Sequence, residues 1–146
     1  MFEILNCNSE NFEHIERYIK RFELDNRSLM PEQFLTIHKN NELIGLGRIR
    51  EHAGCSELCS LGIIEPERNK GAGTVLTKQL MLKAIQPLYL VCIIPSFFEP
   101  LGFEVCTEYP DAIADKLKYC NEQLPVSEQY VAMKAVNKNQ VFKSRQ

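Results

Sequence analysis

The sequence predicts one mixed α/β domain that spans residues 1–146. Residues 58–64 form an apolar, strand-like run, and residues 88–94 form a continuously apolar run that is typical of a strand covered on both faces. Segments with apolar residues at helical spacing alternate with the strand-like runs along the chain. A chain of 146 residues can bury a substantial single core, and no repeat, linker or low-complexity segment divides it.

The start of the chain predicts an edge strand followed by a helix. Residues 2–5 form a short apolar run, and Ser9 is placed to cap the helix that follows. The apolar residues of that helix recur at helical spacing and define its core face: Phe12, Ile15, Ile19 and Phe22. Met30-Pro31 then interrupts the chain before the next segment begins.

Two strands joined by a tight hairpin are predicted next, at residues 34–38 and 42–50. Asn40-Asn41 lies between them, and asparagine tolerates the positive φ angles that a two-residue hairpin turn requires. The glycines at positions 45 and 47 weaken the strand propensity of the second run. They therefore indicate either close packing of another segment or a bulge.

The rest of the chain alternates between strands and helices. The predicted elements are a strand at 55–64, a helix at 74–85, a strand at 88–94, a short helix from Pro95 capped by Gly102, a helix at 111–120 and a last strand at 130–136. Pro87 ends the helix at 74–85. The residues of this helix that we expect to face the core are Val75, Leu76, Leu80, Ala84 and Ile85.

Composition and charge exclude several classes of function. The net charge of −2 comes from interspersed residues of both signs, so there is no electrostatic footprint for nucleic acid. No apolar run approaches the roughly 18 residues that a membrane helix needs, and the start of the chain does not resemble a signal peptide. Six scattered cysteines predict buried free thiols in a reducing cytoplasm. No metal is expected, because His14, His38 and His52 have no partners at ligand spacing.

The candidate binding segment is the turn Arg68-Asn69-Lys70-Gly71-Ala72-Gly73, which lies between a predicted strand and a predicted helix. Its glycines let the backbone approach a ligand, and the free N–H groups of a helix's first turn attract anions. The spacing fits neither the P-loop nor the dinucleotide fingerprint, which has a small residue where this chain has Leu76. The turn therefore indicates another kind of phosphate site, with an ordinary basic surface turn as the alternative.

A second motif follows the strand at 88–94, with the sequence Phe97-Phe98-Glu99-Pro100-Leu101-Gly102-Phe103. Together with the pattern R-x-x-G-x-G at 68–73, it resembles the two signatures of the GNAT superfamily of acyl-CoA-dependent N-acyltransferases. The resemblance implies flanking helices around a mixed, mostly antiparallel central sheet. It also implies that two central strands splay apart around the cofactor, acetyl-CoA.

The resemblance assigns the cofactor contacts. The backbone amides implied to hold the diphosphate, with charge added by Arg68 and Lys70, are those of Asn69, Lys70, Gly71, Ala72, Gly73 and Thr74. Pantetheine is implied to pair with the backbone from Leu61 to Ile63, and the N–H of Ile63 is the candidate donor to the oxyanion. Phe98 is implied to pack against the pantetheine end or in the core. Many members carry at that position a tyrosine that protonates the leaving thiolate, so phenylalanine implies a slower reaction.

Glu57 is the candidate base. Reference pKa values of about 8 and 10.4 for α- and lysine-type amines mean that an acceptor must lose a proton before it attacks. Glu57 lies on the entering strand eleven residues before Arg68, where many superfamily members carry a glutamate with this role. Cys59, Leu61 and Ile63 would share its face unless a bulge intervenes. A structural glutamate held by a neighbour is the alternative, and Glu51 and Glu65 are fallbacks.

The substrate that accepts the acetyl group is the part of the reaction that the sequence specifies least. The segment 109–113, together with Lys116, Cys120 and residues 131–133, looks similar to the tail of amino-acid N-acetyltransferases of the N-acetylglutamate-synthase type. This likeness implies that Arg48 or Arg50 binds a substrate carboxylate. Arginines on a wet strand face are the alternative. The implied function is direct transfer of an acetyl group from acetyl-CoA to a small-molecule primary amine in a ternary complex. A non-catalytic acyl-CoA-binding module, a protein N-acetyltransferase and a homodimeric assembly stay open.

Overall fold

A computed structural model of the chain describes residues 1–10, 12–21, 24, 26–124 and 126–136. Within these ranges the strands are β1 (Phe2–Asn6), β2 (Phe34–Lys39), β3 (Glu42–His52), β4 (Cys55–Ile63), β5 (Leu88–Cys92), β6 (Phe103–Val105) and β7 (Val131–Ala135). The α-helices in the same ranges are α1 (Phe12–Arg21), α2 (Ala72–Lys83), α3 (Pro95–Phe98) and α4 (Asp111–Gln123). Short 3₁₀ turns lie at Pro31–Gln33, Glu65–Glu67 and Glu99–Leu101. The alternation of strands and helices confirms the predicted α/β class.

The described residues divide into two compact units. The first consists of residues 1–50 and 58–83, and the second consists of residues 51–57 and the described residues from 84 onward. Strands β3 and β4 therefore contribute most of their length to the first unit. The hairpin that joins them belongs to the second unit.

The strands of the first unit follow the order β1-β2-β3-β4. β2 pairs antiparallel with both β1 and β3, and β1 has the predicted edge position. Asn40 and Asn41 have φ angles of 51° and 64°, which are the left-handed values that the predicted hairpin turn requires. The hairpin and its turn are therefore confirmed.

The glycines of β3 predicted either close packing of another segment or a bulge, and both are present. The register between β2 and β3 shifts at the Ile37–His38 step, which leaves Ile44 as an extra residue in β3, directly before Gly45. A Cβ on Gly45 would lie 2.5 Å from Ile63 Cδ1 and 2.6 Å from the Gly62 carbonyl oxygen. The absence of a side chain at this position lets β3 and β4 approach each other at the end of β4.

Helices α1 and α2 complete the first unit. On α1, the predicted core residues Ile15 and Ile19 are buried together with Cys7, Phe34 and Leu46. Phe22, the last residue of the predicted stripe, lies outside the described residues.

Helix α2 begins two residues earlier than predicted, and part of its predicted core face is wrong. Its buried residues are Ala72, Leu76, Thr77, Leu80 and Met81. Val75 and Ile85 are 37% and 68% exposed. The buried face follows the rows 72–76–80 and 77–81, whereas Val75 is rotated by about 100° from Leu76 and Ile85 lies beyond the helix end.

The strands of the second unit follow the order β5-β7-β6, and both pairs are antiparallel. Helix α4 begins at Asp111 as predicted and continues to Gln123, and its Ile113 packs with Cys55, Tyr89 and Ala132. The short helix from Pro95 ends as predicted. Gly102 has a φ angle of 103°, and its N–H donates to the Glu99 carbonyl at 3.1 Å. Strand β6, which follows at once, was not predicted.

Three further findings concern the described residues alone. None of their helices is long and apolar enough to cross a membrane. Their His, Cys, Asp and Glu side chains form no group of three or more that is arranged to hold a metal ion. None of the six cysteines forms a disulfide bond, and burial raises the pKa of the thiols of Cys7, Cys55, Cys92 and Cys106 above the usual value.

Candidate functional site

The basic glycine turn of the first unit owes its shape to two left-handed residues. Asn69 has a φ of 63° and Gly71 a φ of 93°. A Cβ on Gly71 would meet nothing within 4 Å, so the backbone conformation rather than crowding favours glycine there. The N–H of Val75 donates to the Gly71 carbonyl at 3.0 Å, and α2 begins at Ala72, directly after Gly71.

The N–H groups of the turn are available for a ligand. The first-turn amides of α2, those of Ala72, Gly73 and Thr74, have no i−4 partner inside the helix. Among the described residues, no side chain accepts a hydrogen bond from the N–H groups of residues 69–74. Asn69, Lys70 and Gly71 are exposed. These amides and the N-terminal end of the helix dipole together can hold an anion.

Arg68 connects the turn to the end of β4. Its Nε donates to the Ile63 carbonyl oxygen at 2.8 Å. The N–H of Ile64 donates to Ile44 on β3 at 2.9 Å, so by strand alternation the N–H of Ile63 points away from β3. The structure thus brings together the predicted residues Arg68 and Ile63. An ion pair of 3.2 Å between Lys39 and Glu67 holds the preceding 3₁₀ turn.

Strand β4 is irregular between Glu57, the predicted base, and residues 61–63, the predicted pantetheine contacts. Ser60 has a φ of 52°, a left-handed value that breaks the alternation of side chains along a strand. The side chains of Leu61 and Ile63 lie beside β3 at Gly47 and Gly45. Ser60 interrupts the regular strand conformation, so the alternation argument does not place Glu57 on the face of these two residues.

The two predicted carboxylate-binding arginines differ in environment. Arg48 is fully buried, and its Nε donates to Gln33 Oε1 at 2.8 Å. One of its terminal nitrogens, Nη2, lies 2.9 Å from the Arg27 carbonyl oxygen and also contacts the Ser28 carbonyl oxygen. Arg48 thus holds the segment before β2, whereas Arg50 is half-buried at the end of the first unit's part of β3.

Glu57 lies in the second unit, within a buried charged cluster that we call the Glu57 cluster: His52, Glu57 and Lys116. His52 Nε2 is 2.9 Å from Glu57 Oε1, and Lys116 Nζ is 3.0 Å from Glu57 Oε2. The side chains of Glu57 and Lys116 are 1% and 5% exposed, whereas that of His52 is 17% exposed. His52 is therefore the member that solvent reaches most easily.

The sequence analysis did not predict that His52 or Lys116 pairs with Glu57, although two signals were present. His52 and Glu57 flank the turn Ala53-Gly54, so a hairpin there places them on neighbouring strands. Lys116 falls on the buried face of α4, between Ile113 and Cys120 at helical spacing. A lysine within an apolar stripe predicts an acidic partner, because a buried charge is rarely left unpaired.

The fallback glutamates and Phe98 have other surroundings. Glu51 is exposed, and its Oε1 accepts a hydrogen bond of 2.7 Å from Ser56 Oγ. Glu65 is exposed in the 3₁₀ turn before the glycine turn. Phe98 is 4% exposed and packs edge-on against Phe97 and Phe103, with ring centroids 4.9 and 5.8 Å apart. The structure thus places Phe98 in the core of the second unit.

Comparison with known sequences gives a family match over most of the chain. The sequence profile of the acetyltransferase (GNAT) family matches residues 1–103. Among curated protein sequences, none matches this chain.

Solved structures share the fold at low sequence identity. N-acetylglutamate synthase from Neisseria gonorrhoeae, complexed with coenzyme A and N-acetyl-glutamate, has a TM-score of 0.72 and 16% identity over 94% of this chain. This chain spans only 36% of the synthase chain. Rv2747 from Mycobacterium tuberculosis, in complex with CoA and NLQ, has a TM-score of 0.74 and 12% identity, covering 92% of this chain and 99% of that one. ElaA from Escherichia coli has a TM-score of 0.67 and 16% identity, covering 92% and 99%.

The family profile covers both the glycine turn and the short helix closed by Gly102. The mixed fold, with its mostly antiparallel strand pairs, agrees with that match. The chain therefore belongs to the acetyltransferase (GNAT) family.

Proposed function

We propose that this domain transfers the acetyl group of acetyl-CoA to the primary amine of a small molecule, by direct attack of the amine on the thioester in a ternary complex. The observation that carries the proposal is the glycine turn. Its left-handed residues Asn69 and Gly71 lead into a helix whose first-turn amides have no partner within the helix. A diphosphate is a ligand of the right charge for such a turn.

The cofactor contacts follow from this turn. The amides of residues 69–74 bind the diphosphate oxygens, and Lys70 adds an exposed positive charge beside them. Arg68 adds a second charge and fixes the Ile63 carbonyl at 2.8 Å. The backbone from Leu61 to Ile63 pairs with pantetheine, and the Ile63 N–H stabilises the oxyanion of the tetrahedral intermediate. Phe98 packs inside the second unit and supplies no proton to the leaving thiolate.

Proton removal is assigned to Glu57 acting through His52. The Glu57 carboxylate is almost completely buried, whereas His52 is partly accessible and lies 2.9 Å from it. In the tautomer in which the Nε2–H of His52 donates a hydrogen bond to Glu57, Nδ1 carries no proton. Nδ1 then takes a proton from the ammonium group of the substrate. Glu57 then stabilises the imidazolium, as the acid of a catalytic triad does. Lys116 balances the Glu57 charge in the resting state.

An amino acid is the proposed class of acceptor, and Arg50 is the proposed carboxylate contact. Arg48 already bonds to Gln33 and to the carbonyl of Arg27, which favours a structural role for it. N-acetylglutamate synthase and Rv2747 were solved with N-acetyl-glutamate and NLQ respectively. These likenesses support the amino-acid class.

The test measures thiol release from acetyl-CoA against a panel of amino acids and the matching amines that lack the carboxylate. Amine-dependent release is the expected result, with amino acids as the better acceptors. Arg50→Gln should remove the preference for amino acids and leave release with simple amines unchanged. A reaction without amine corrects for the protein's own thiols, of which Cys55 and Cys92 are buried and have a pKa that burial raises.

Two outcomes would overturn the proposal. Coenzyme A binding without turnover on any amine would indicate the acyl-CoA-binding module. Failure to bind coenzyme A at all would remove the role assigned to the glycine turn.

A further inference from the structure

A cavity of about 670 Å³ lies in the first unit, away from the residues that the proposed function uses. Its lining comes from helix α1 and from strands β2 and β3: His14, Ile15, Arg17, Tyr18, Arg21, Thr36, His38, Glu42 and Leu43. A volume of this size falls in the range of small-molecule sites, about 300–1,000 Å³. None of the residues assigned to acetyl-CoA or to the Glu57 cluster lines it.

One wall of the cavity is a single polar face of α1. His14, Arg17, Tyr18 and Arg21 follow the helical spacing i, i+3, i+4 and i+7, so their side chains line one face. Two further residues of the helix, Ile15 and Ile19, are buried and hold it to the core. The polar face is therefore presented by an anchored helix.

Hydrogen bonds fix the opposite wall. The Tyr18 hydroxyl donates to the Leu43 carbonyl at 2.8 Å and so ties α1 to β3. Thr36 is 2% exposed, and its Oγ1 lies 2.9 Å from His38 Nε2 and 3.3 Å from the Leu5 carbonyl oxygen. The threonine thereby sets the orientation of the His38 imidazole. A cavity with positioned polar walls loses little freedom when a ligand enters.

The charge of the lining selects the ligand. Arg17 and Arg21 are permanent cations, His14 and His38 offer imidazole nitrogens, and Glu42 is the acidic residue of the lining. Arginine's planar fork matches the two oxygens of a carboxylate. Arg17 at present pairs with Glu13 at 3.0 Å, and both side chains are mostly exposed, a kind of pair that contributes little. An anion can therefore displace Glu13 from Arg17.

We propose that this cavity is a binding site for a small organic carboxylate, held by Arg17 with Arg21 and packed against the apolar parts of Ile15, Tyr18 and Leu43. The site shares no residue with the proposed acetyl-CoA contacts. Its ligand is therefore an effector of the domain, or is bound without taking part in the reaction. Inorganic phosphate shares the charge but has no carbon body to contact the apolar wall. It should therefore bind more weakly.

The test uses the full chain with succinate as the probe, followed through the imidazole NMR signals at fixed pH. The chain has three histidines, and two of them, His14 and His38, line the cavity. Saturable shifts of these two signals with one common dissociation constant are expected. Arg17→Gln should weaken succinate binding about tenfold, the size of one charge-assisted hydrogen bond pair.

Lys20→Gln is the matched control, because Lys20 is an exposed cation on the same helix that does not line the cavity. It should leave the affinity for succinate within about twofold, as expected for an exposed charge. Equal losses in Arg17→Gln and Lys20→Gln, or no saturation, would overturn the site. Phosphate binding as tight as that of succinate would overturn its assignment to an organic carboxylate.

Discussion

The glycine turn of the first unit and the Glu57 cluster of the second are built in opposite ways. The turn presents main-chain N–H groups, its residues 69–71 are exposed, and its shape rests on two left-handed φ angles. The Glu57 cluster consists of side chains, and its carboxylate and ammonium are 1% and 5% exposed. The first is specified by backbone conformation and the second by charge pairing in the interior.

This difference decides how each region responds to substitution. A backbone site tolerates changes of side chain but not changes that forbid its φ angles. A buried ion pair tolerates little, because loss of one partner leaves the other charge in the interior without compensation. Substitutions in the glycine turn should therefore weaken cofactor binding without a large loss of stability. Substitutions in the Glu57 cluster should lower stability together with any loss of catalysis.

The largest expected effect is on stability, from Lys116→Met. The variant removes the ammonium 3.0 Å from Glu57 Oε2 and leaves that carboxylate buried. Breaking one side of a buried pair costs about 3–5 kcal/mol of the free energy of unfolding. Urea denaturation followed by circular dichroism measures it. Lys118→Met, at an exposed position of the same helix, should change stability by less than about 0.5 kcal/mol.

A double variant sharpens the same prediction. Glu57→Gln in the Lys116→Met background removes the carboxylate charge that has lost its ammonium partner, so the double variant should be more stable than Lys116→Met alone. Additive losses in the double variant would show that the two side chains are not coupled. The description of the cluster as a charge-balanced unit would then be wrong.

The next effect concerns catalysis, from Glu57→Gln on its own. If Glu57 and His52 remove the ammonium proton, turnover at neutral pH should fall about 10²-fold or more, the usual contribution of a general base. The loss should shrink as pH rises towards the pKa of the acceptor amine, because the amine then deprotonates without help. His52→Asn should give the same profile. An unchanged pH profile in either variant would remove that residue from proton transfer.

The glycine turn could be predicted from the sequence because its determinants are local. Arg68, Asn69 and Gly71 lie next to each other, and the positive φ angles of a turn are encoded by asparagine and glycine. The Asn40-Asn41 hairpin was predictable for the same reason. The resemblance to the GNAT signatures rested on the same kind of short, contiguous pattern, and the family match confirms it.

The Glu57 cluster was predicted only in part because its determinants are distant in sequence. Glu57 was predicted as a site residue, but Lys116 lies on a helix and is 59 positions further along the chain. No residue near Glu57 in the sequence indicates this partner. Strand alternation could not relate Glu57 to Leu61, because Ser60 between them adopts a left-handed conformation that no local residue pattern required. Three-residue β6 was missed because so short a strand is defined by its pairing with β7.

A smaller effect is expected on cofactor binding, from Gly71→Val. A β-branched residue at a φ of 93° is strained by about 1–2 kcal/mol, and the turn will change its shape to relieve that strain. Affinity for coenzyme A should fall at least about tenfold by isothermal titration calorimetry. Gly54→Val is the matched control, since Gly54 has a φ of 87° with the same open surroundings. It should lose similar stability and keep its affinity for coenzyme A.

The smallest effect is expected from Lys70→Gln, which changes a side chain of the turn and leaves its backbone intact. Lys70 is exposed, and an exposed charge contributes at most about 1 kcal/mol, so affinity for coenzyme A should fall by no more than about fivefold. Because that contribution is electrostatic, raising the salt concentration should remove most of the difference from the unmodified protein. Lys78→Gln, at an exposed position of α2, should have no effect. A loss in Lys70→Gln greater than that in Gly71→Val would show that side-chain charge, not backbone shape, is the main source of diphosphate affinity.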